Sequence, residues 1–277
     1  MIQARTLVVA AAAWLLTSAT VLAQAAPVKF QWKAGQVLNY RVEQVTNEIE
    51  IVGGTKVEST MKLGQVKRWQ VLEVDQNGVA TVQRTLTALR IEKTDNGATV
   101  LFDSTQPDKS DPSMKQQLSK YVGTPLATLR IDSTGKVVEV KESKYAPASR
   151  YENELPFTIV LPATGLQAGQ TWQRTYQVTL EPPLGTNEKY PAVQKYACKE
   201  IAGNTARITL TTEIQGKAED NVPLVQFQPE GEIVFDVQAG RLQKVRLLSD
   251  KQLKNHQGED SSYHFKSSYT EEYIGDK

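Results

Sequence analysis

"ARITLTTEI" (206–214) alternates along its length. Ala206, Ile208, Leu210 and Ile214 share one parity; Arg207, Thr209, Thr211 and Glu213 share the other. A period of two puts the first set on a buried face and the second in water, which is the pattern of a half-buried strand. Gly203-Asn204, just upstream, supplies residues tolerant of positive φ, as do Asn77-Gly78 and Asn96-Gly97. Such pairs close tight hairpins. The chain is therefore expected to be mainly β and antiparallel.

Two strand entries look alike: "KAGQVLNYRVEQ" (33–44) and "QAGQTWQRTYQV" (167–178). Downstream of the first come "VDQNGVATVQRTLTALRIE" (74–92) and "LATLRIDSTGKVVEVKE" (126–142). Downstream of the second come "KEIAGNTARITLTTEIQG" (199–216) and "GEIVFDVQAGRLQKVRLLS" (231–249). Three blocks in one order suggest two similar β units, 24–143 and 167–277, forming a curved sheet, half-barrel or sandwich. Hairpin grammar that arose twice independently is the alternative. The connecting segment 144–166 holds three prolines, yet "FTIVL" within it is apolar enough to predict a short packed strand.

In 36–51, Leu38, Tyr40 and Val42 share one parity, whereas Val45, Ile49 and Ile51 share the other. That phase shift predicts a bulge or a change of core beyond Gln44, and Gly64 is a second bulge candidate. One amphipathic helix is expected at about 112–122. Asp111 is placed to cap it, Pro112 to begin it and Gly123 to end it, with Met114, Leu118, Tyr121 and Val122 on one stripe. It is expected to lie over the curved sheet.

The first 28 residues carry one charge, Arg5, and a ten-residue apolar run at 7–16. The run is too short for a mature membrane span, and small residues around Ala23 and Ala25 offer cleavage sites. Residues 1–23 read as a signal peptide, with an uncleaved anchor as the alternative. The chain is thus expected to be exported, periplasmic or extracellular, with no later membrane span. With 32 basic and 31 acidic residues in all, it has no field to gather nucleic acid. Its single cysteine, Cys198, cannot form a disulfide within the chain and reads as a small buried strand residue rather than a reactive thiol.

Motifs for chemistry are sparse. His256 and His264 flank acids, but their spacing matches no standard zinc pattern, so both read as solvated residues and no metal is expected. Neither Gly-x-Ser-x-Gly nor a Gly-rich phosphate loop occurs. Glu271-Glu272 and Glu259-Asp260 are pairs of the kind that solvated strand ends carry. Neither catalytic residues nor cofactors are expected. The patterned feature is "SYHFKSSYTEEYIGD" (262–276), where Tyr263, Phe265, Tyr269 and Tyr273 share a parity with Ser267 and Glu271. They would either line a groove for an apolar ligand, beside Met114, Leu118 and Val122 of the helix, or pack as ordinary core.

Gly35, Gln36 and Tyr40, then Gly169, Gln170 and Trp172, each open a strand after a short apolar stretch, and Asp132, Gly135, Lys136 and Val137 make an Asp-x-x-Gly-Lys-Val hairpin. This layout resembles uncharacterised exported bacterial all-β proteins with a duplicated β unit. In architecture alone it is similar to periplasmic lipoprotein-carrier half-barrels. The resemblance implies the β architecture and export and brings no assigned activity. The function expected is non-enzymatic binding of a lipid or other apolar or amphipathic ligand in the cell envelope. A structural or envelope-protein-binding module is the alternative, and an enzyme of unknown class a further one.

Overall fold

The computed structural model describes residues 27–152, 159–182, 184–215 and 222–276. The signal-peptide reading at 1–23 lies outside them. Twelve strands form one open antiparallel sheet. They are β1 (Val37–Val52), β2 (Thr55–Val74), β3 (Ala80–Asp95), β4 (Ala98–Asp103), β5 (Pro125–Ile131), β6 (Val137–Ser143), β7 (Thr171–Leu180), β8 (Glu188–Ala202), β9 (Thr205–Ile214), β10 (Glu230–Asp236), β11 (Arg241–Lys254) and β12 (Ser262–Gly275). The order across the sheet is β6-β5-β3-β2-β1-β12-β11-β10-β9-β8-β7, with β4 paired to the far half of β3. Each half is a meander, and the halves meet where β1 pairs with β12.

Both "AGQ" entries build the same turn. Gly35 has φ +80° and Gly169 has φ +79°. The Gly35 N–H donates to Val71 O, and the Val71 N–H donates back to Gln36 O, each at 2.8 Å. Gly169, Cys198 and Gln170 repeat that exchange at 2.7 and 2.9 Å. In both, the glutamine side-chain oxygen accepts from the backbone N–H three residues earlier.

The sheet curls until its two halves share one core. Val71, Val82 and Ile131 of the first half and Tyr196, Ile208 and Phe235 of the second belong to a single buried cluster. Residues 27–33 cross one end of this cup. Phe30 N–H donates to Ser133 O and Gln31 N–H to Gly240 O, at 2.8 and 2.9 Å. The Phe30 ring stacks on Trp32 and meets Phe235 edge-on at 5.1 Å. Ile159 and Leu161 are buried at the same end, and the Leu161 N–H donates to Thr134 O. The apolar stretch expected as a strand is therefore packed without joining the sheet in its described part.

Above this core the inner face turns polar. β1 pairs with β2 in unbroken register from Val37 to Val52, so the expected bulge beyond Gln44 is absent. Gln44, Thr46 and Glu48 simply keep facing inward, while Val45 points out and is exposed. Gly64 also sits in continuous register, with nothing nearer to its Cβ position than 3.9 Å. The irregularity lies just beyond it, where Val66 and Lys67 face Ala88 and Leu86 and leave Thr87 as the extra residue. That bulge switches the parity of β3, so Leu86 and Leu89 both face inward.

Where apolar core gives way to polar interior, Lys67 reaches diagonally across β1 to Glu271 of β12. The Nζ–Oε2 distance is 3.4 Å, and the side chains are 3% and 1% exposed. The Tyr269 hydroxyl donates to the same carboxylate. Burial, and after it the Glu271 charge, pushes the Tyr40 phenol well above its ordinary range. It stays protonated and donates to Leu242 O.

The single α-helix among the described residues, α1 (Pro112–Leu118), is capped as its sequence dictates. The Asp111 carboxylate accepts from the N–H groups of Ser113 and Met114, Pro112 opens the helix, and Gly123 adopts φ +76°. It stops at Leu118 and gives way to a 3-10 turn, Ser119–Tyr121. It meets chiefly β4 and that turn rather than lying over the sheet. The segment that does lie inside the curve is a 3-10 helix, Val222–Phe227, touching β7, β9, β11 and β12. No helix among the described residues is long and apolar enough to cross a membrane.

Two stability outcomes follow from this packing. At Gly135 (φ +90°) a Cβ would stand 2.5 Å from both Ile159 O and the Phe30 ring, whereas at Gly97 (φ +90°) it would meet nothing within 4 Å. Gly97→Ala is expected to cost about 1–2 kcal/mol from backbone strain. Gly135→Ala should add about 1–3 kcal/mol of overpacking, read by denaturant melts. Equal losses would mean that 27–33 does not press on that turn. Lys67→Met, which strands Glu271 in the interior, should cost about 3–5 kcal/mol, and the double variant Lys67→Met with Glu271→Leu should regain most of it. A double variant as unstable as the single one would refute the pairing.

Candidate functional site

A cavity of about 620 Å³ lies inside the curve of the first half. Its floor is the polar layer: Lys67 of β2 and Arg84 of β3, with Tyr269 of β12 beside them. One wall is apolar, made by Leu63, Leu86, Leu89 and Leu126. The bulge in β3 is what brings both Leu86 and Leu89 to it. Gln44 and Gln65 contribute amides. The roof comes from outside the sheet: Tyr121 after α1, Tyr145 and Ala146 after β6, Arg150 and Tyr151 of the 3-10 helix Ala148–Glu152, and Phe227.

The roof is held by aromatic and cationic contacts. Tyr121 meets Tyr145 edge-on at 4.8 Å, and the Tyr145 hydroxyl donates to Lys120 O. The Lys120 and Lys144 ammonium groups lie 5.1–5.9 Å from these rings. The Arg84 guanidinium sits between Trp69 and Tyr151, 5.8 and 5.9 Å from the two rings. Such contacts fix the orientation of a buried arginine.

Two smaller cavities adjoin. One of about 490 Å³ shares Arg150 and Phe227 with the first and reaches Tyr176, Val178 and Leu210 in the second half. One of about 240 Å³ shares Gln44 and Tyr269 and is lined by Thr46, Glu48, Phe265 and Ser267. The segment Val222–Phe227 divides them. Its Leu224 packs with Val178, Leu180 and Ala192, and its Val225 packs with Tyr263 and Phe265.

The structure distributes the expected aromatic face. Tyr263, Phe265, Tyr269 and Tyr273 do share one face of β12 with Glu271. Tyr263 and Phe265 are buried against Val225, and Tyr273 packs on Tyr40 with the Arg241 guanidinium 3.9 Å from its ring. Tyr269 alone of the four lines the main cavity, and Phe265 joins it in the smallest. Of the helix set, Met114 and Leu118 are partly exposed and Val122 bridges to Leu86, but Tyr121 is the residue of that region in the cavity wall. Lys67, Arg84, Arg150, Tyr145 and Tyr151 line the cavity without belonging to any of the expected site residues. A signal existed: Lys67 shares parity with Trp69 and Val71, and Arg84 with Val82 and Leu86. A charge on the apolar parity of a strand marks a polar place in the interior.

The remaining chemistry-bearing residues go elsewhere. His256 Nε2 pairs with Glu50 at 3.0 Å and His264 Nε2 with Asp250 at 2.6 Å. The His256 side chain is only 2% exposed, so it is buried rather than solvated as expected. Among the described residues, no group of three or more His, Cys, Asp or Glu gathers as a metal site. Cys198 is fully buried in β8, and that burial pushes its thiol up.

No family model matches the chain, and no curated protein sequence matches it significantly. Among solved structures it is similar to one described as "Lipid-protein interactions in lipovitellin", with a TM-score of 0.49 and 11% identity over 88% of this chain. This chain spans 26% of that one. It is also similar to DynF from the dynemicin biosynthesis pathway of Micromonospora chersina, with a TM-score of 0.22 and 7% identity over 96% of this chain and 94% of that one. Both scores lie below 0.5, so these likenesses carry no argument about what this chain binds.

Proposed function

We propose that this chain is a non-enzymatic carrier or receptor for an apolar or amphipathic ligand, held inside the curve of its sheet. The observation that supports it is the 620 Å³ cavity, which falls in the range of roughly 300–1,000 Å³ typical of small-molecule sites. Its lining mixes leucine and tyrosine surface with a few convergent polar groups, as such sites do. Below it the sheet's two halves share one continuous buried cluster, so the space is bounded by a filled core rather than left by one missing side chain. Action in the cell envelope after export belongs to the same proposal and is supported by the short apolar run and small-residue cleavage sites near the N-terminus.

A neutral probe whose fluorescence rises in apolar surroundings, such as N-phenyl-1-naphthylamine, tests the site. Leu63→Trp and Ala146→Trp would each fill part of the cavity and should weaken probe binding at least tenfold. Val57→Trp, at an exposed position outside these cavities, should leave it unchanged. Thermal melts establish that each variant is folded. Unchanged affinity in both folded cavity variants would overturn the reading.

A further inference from the structure

Resting on that reading, we propose that the ligand is an amphiphile with an anionic head, carboxylate or phosphate. The head lies between Arg84 and Arg150, and the apolar body runs toward Leu63 and Leu89.

Charge and apolar surface are segregated within the cavity. Among the described residues, its charged lining residues are Lys67, Arg84 and Arg150, all cations. The nearest buried carboxylate, Glu271, is committed to Lys67 and to the Tyr269 hydroxyl. Arg84 is 8% exposed and is oriented by the Trp69 and Tyr151 rings. Arg150, one residue before Tyr151, lines the same cavity as Arg84. Toward the hairpin tips the walls become Leu86, Leu89 and Leu63.

Three consequences follow from elementary chemistry. Cations gathered along a concavity focus a positive potential, which gathers anions and repels amines. Guanidinium groups present a planar fork that matches the oxygens of carboxylate and phosphate. An apolar wall next to that fork accepts hydrocarbon and would be a poor home for a small hydrophilic anion. A ligand that satisfies both parts carries a charged head and an alkyl body. The roof adds to the bias, because Lys120 and Lys144 stand over Tyr121 and Tyr145 and repeat the positive sign outside.

The experiment compares four probes with the same dodecyl chain, measured by calorimetry on the whole protein: dodecanoate, dodecyl phosphate, dodecanol and dodecylamine. Either anion should bind about ten- to a hundredfold more tightly than dodecanol, the range of a charge-assisted hydrogen bond. Dodecylamine should bind weakest. Arg150→Gln should abolish most of that preference while leaving dodecanol binding intact, and Arg150→Lys should restore part of it. Lys195→Gln, which removes an equal charge outside the curve, should change nothing. The tighter of the two anions identifies the head chemistry. If dodecanol binds as well as both anions, the head assignment falls and the amphipathic-site reading stands. If no probe binds, both fall. If anions are preferred but Arg150→Gln keeps the preference, the placement of the head is wrong.

Discussion

The ion pair between Lys67 and Glu271 is the contact on which the interior depends. Below it the curled sheet is filled by Trp69, Tyr40, Phe235 and their neighbours. Above it the strands continue, but the facing side chains are Gln44, Gln65, Thr46 and Tyr269. Two charges removed from water are costly unless they meet, and here they meet across the strand that joins the halves. An apolar pair would extend the core upward and close the cavity. The charged pair stops the core at one level and keeps a polar floor at the bottom of the remaining space.

The regular part of the fold was legible because alternation and turn chemistry are local. The strand at 206–214, the Asn-Gly hairpins and the capped helix each follow from residues within a few positions of one another. The misreading at 44–51 has a single cause. Pattern reasoning equates apolar with inward, and that equation fails where the interior is polar. Val45, Ile49 and Ile51 suggest a bulge or a change of core, although the pairing of β1 with β2 never changes phase. In β3 the phase does change, between Leu86 and Leu89, and there the same reasoning would have found a true bulge.

The site was legible only in fragments. Tyr269 was on the face expected, but Tyr263 and Phe265 are covered by Val222–Phe227, a segment with no periodic signal. The roof joins Tyr121, Tyr145 and Tyr151, which lie on two short 3-10 helices and the bend after β6. Nothing in spacing brings such residues together; the pairing order of the strands does. The exposed cross-strand ion pairs of the outer face, such as Lys62–Glu92 and Lys195–Glu213, contribute little by comparison, because water and salt screen them.

The central pairing of β1 with β12 joins Asn39 to Gly275 and Ile51 to Ser262. This seam links the opposite ends of the described chain, so it has the longest loop to close of any strand pair. During synthesis β1, β2 and β3 can assemble from local hairpins, but the other edge of β1 must wait until the last strand has left the ribosome. For that interval a sixteen-residue strand offers unpaired N–H and C=O groups to any extended segment nearby. Folding should therefore be slow in its last step, because high contact order retards barrel-like β proteins. The half-formed sheet is also the species most in need of a chaperone.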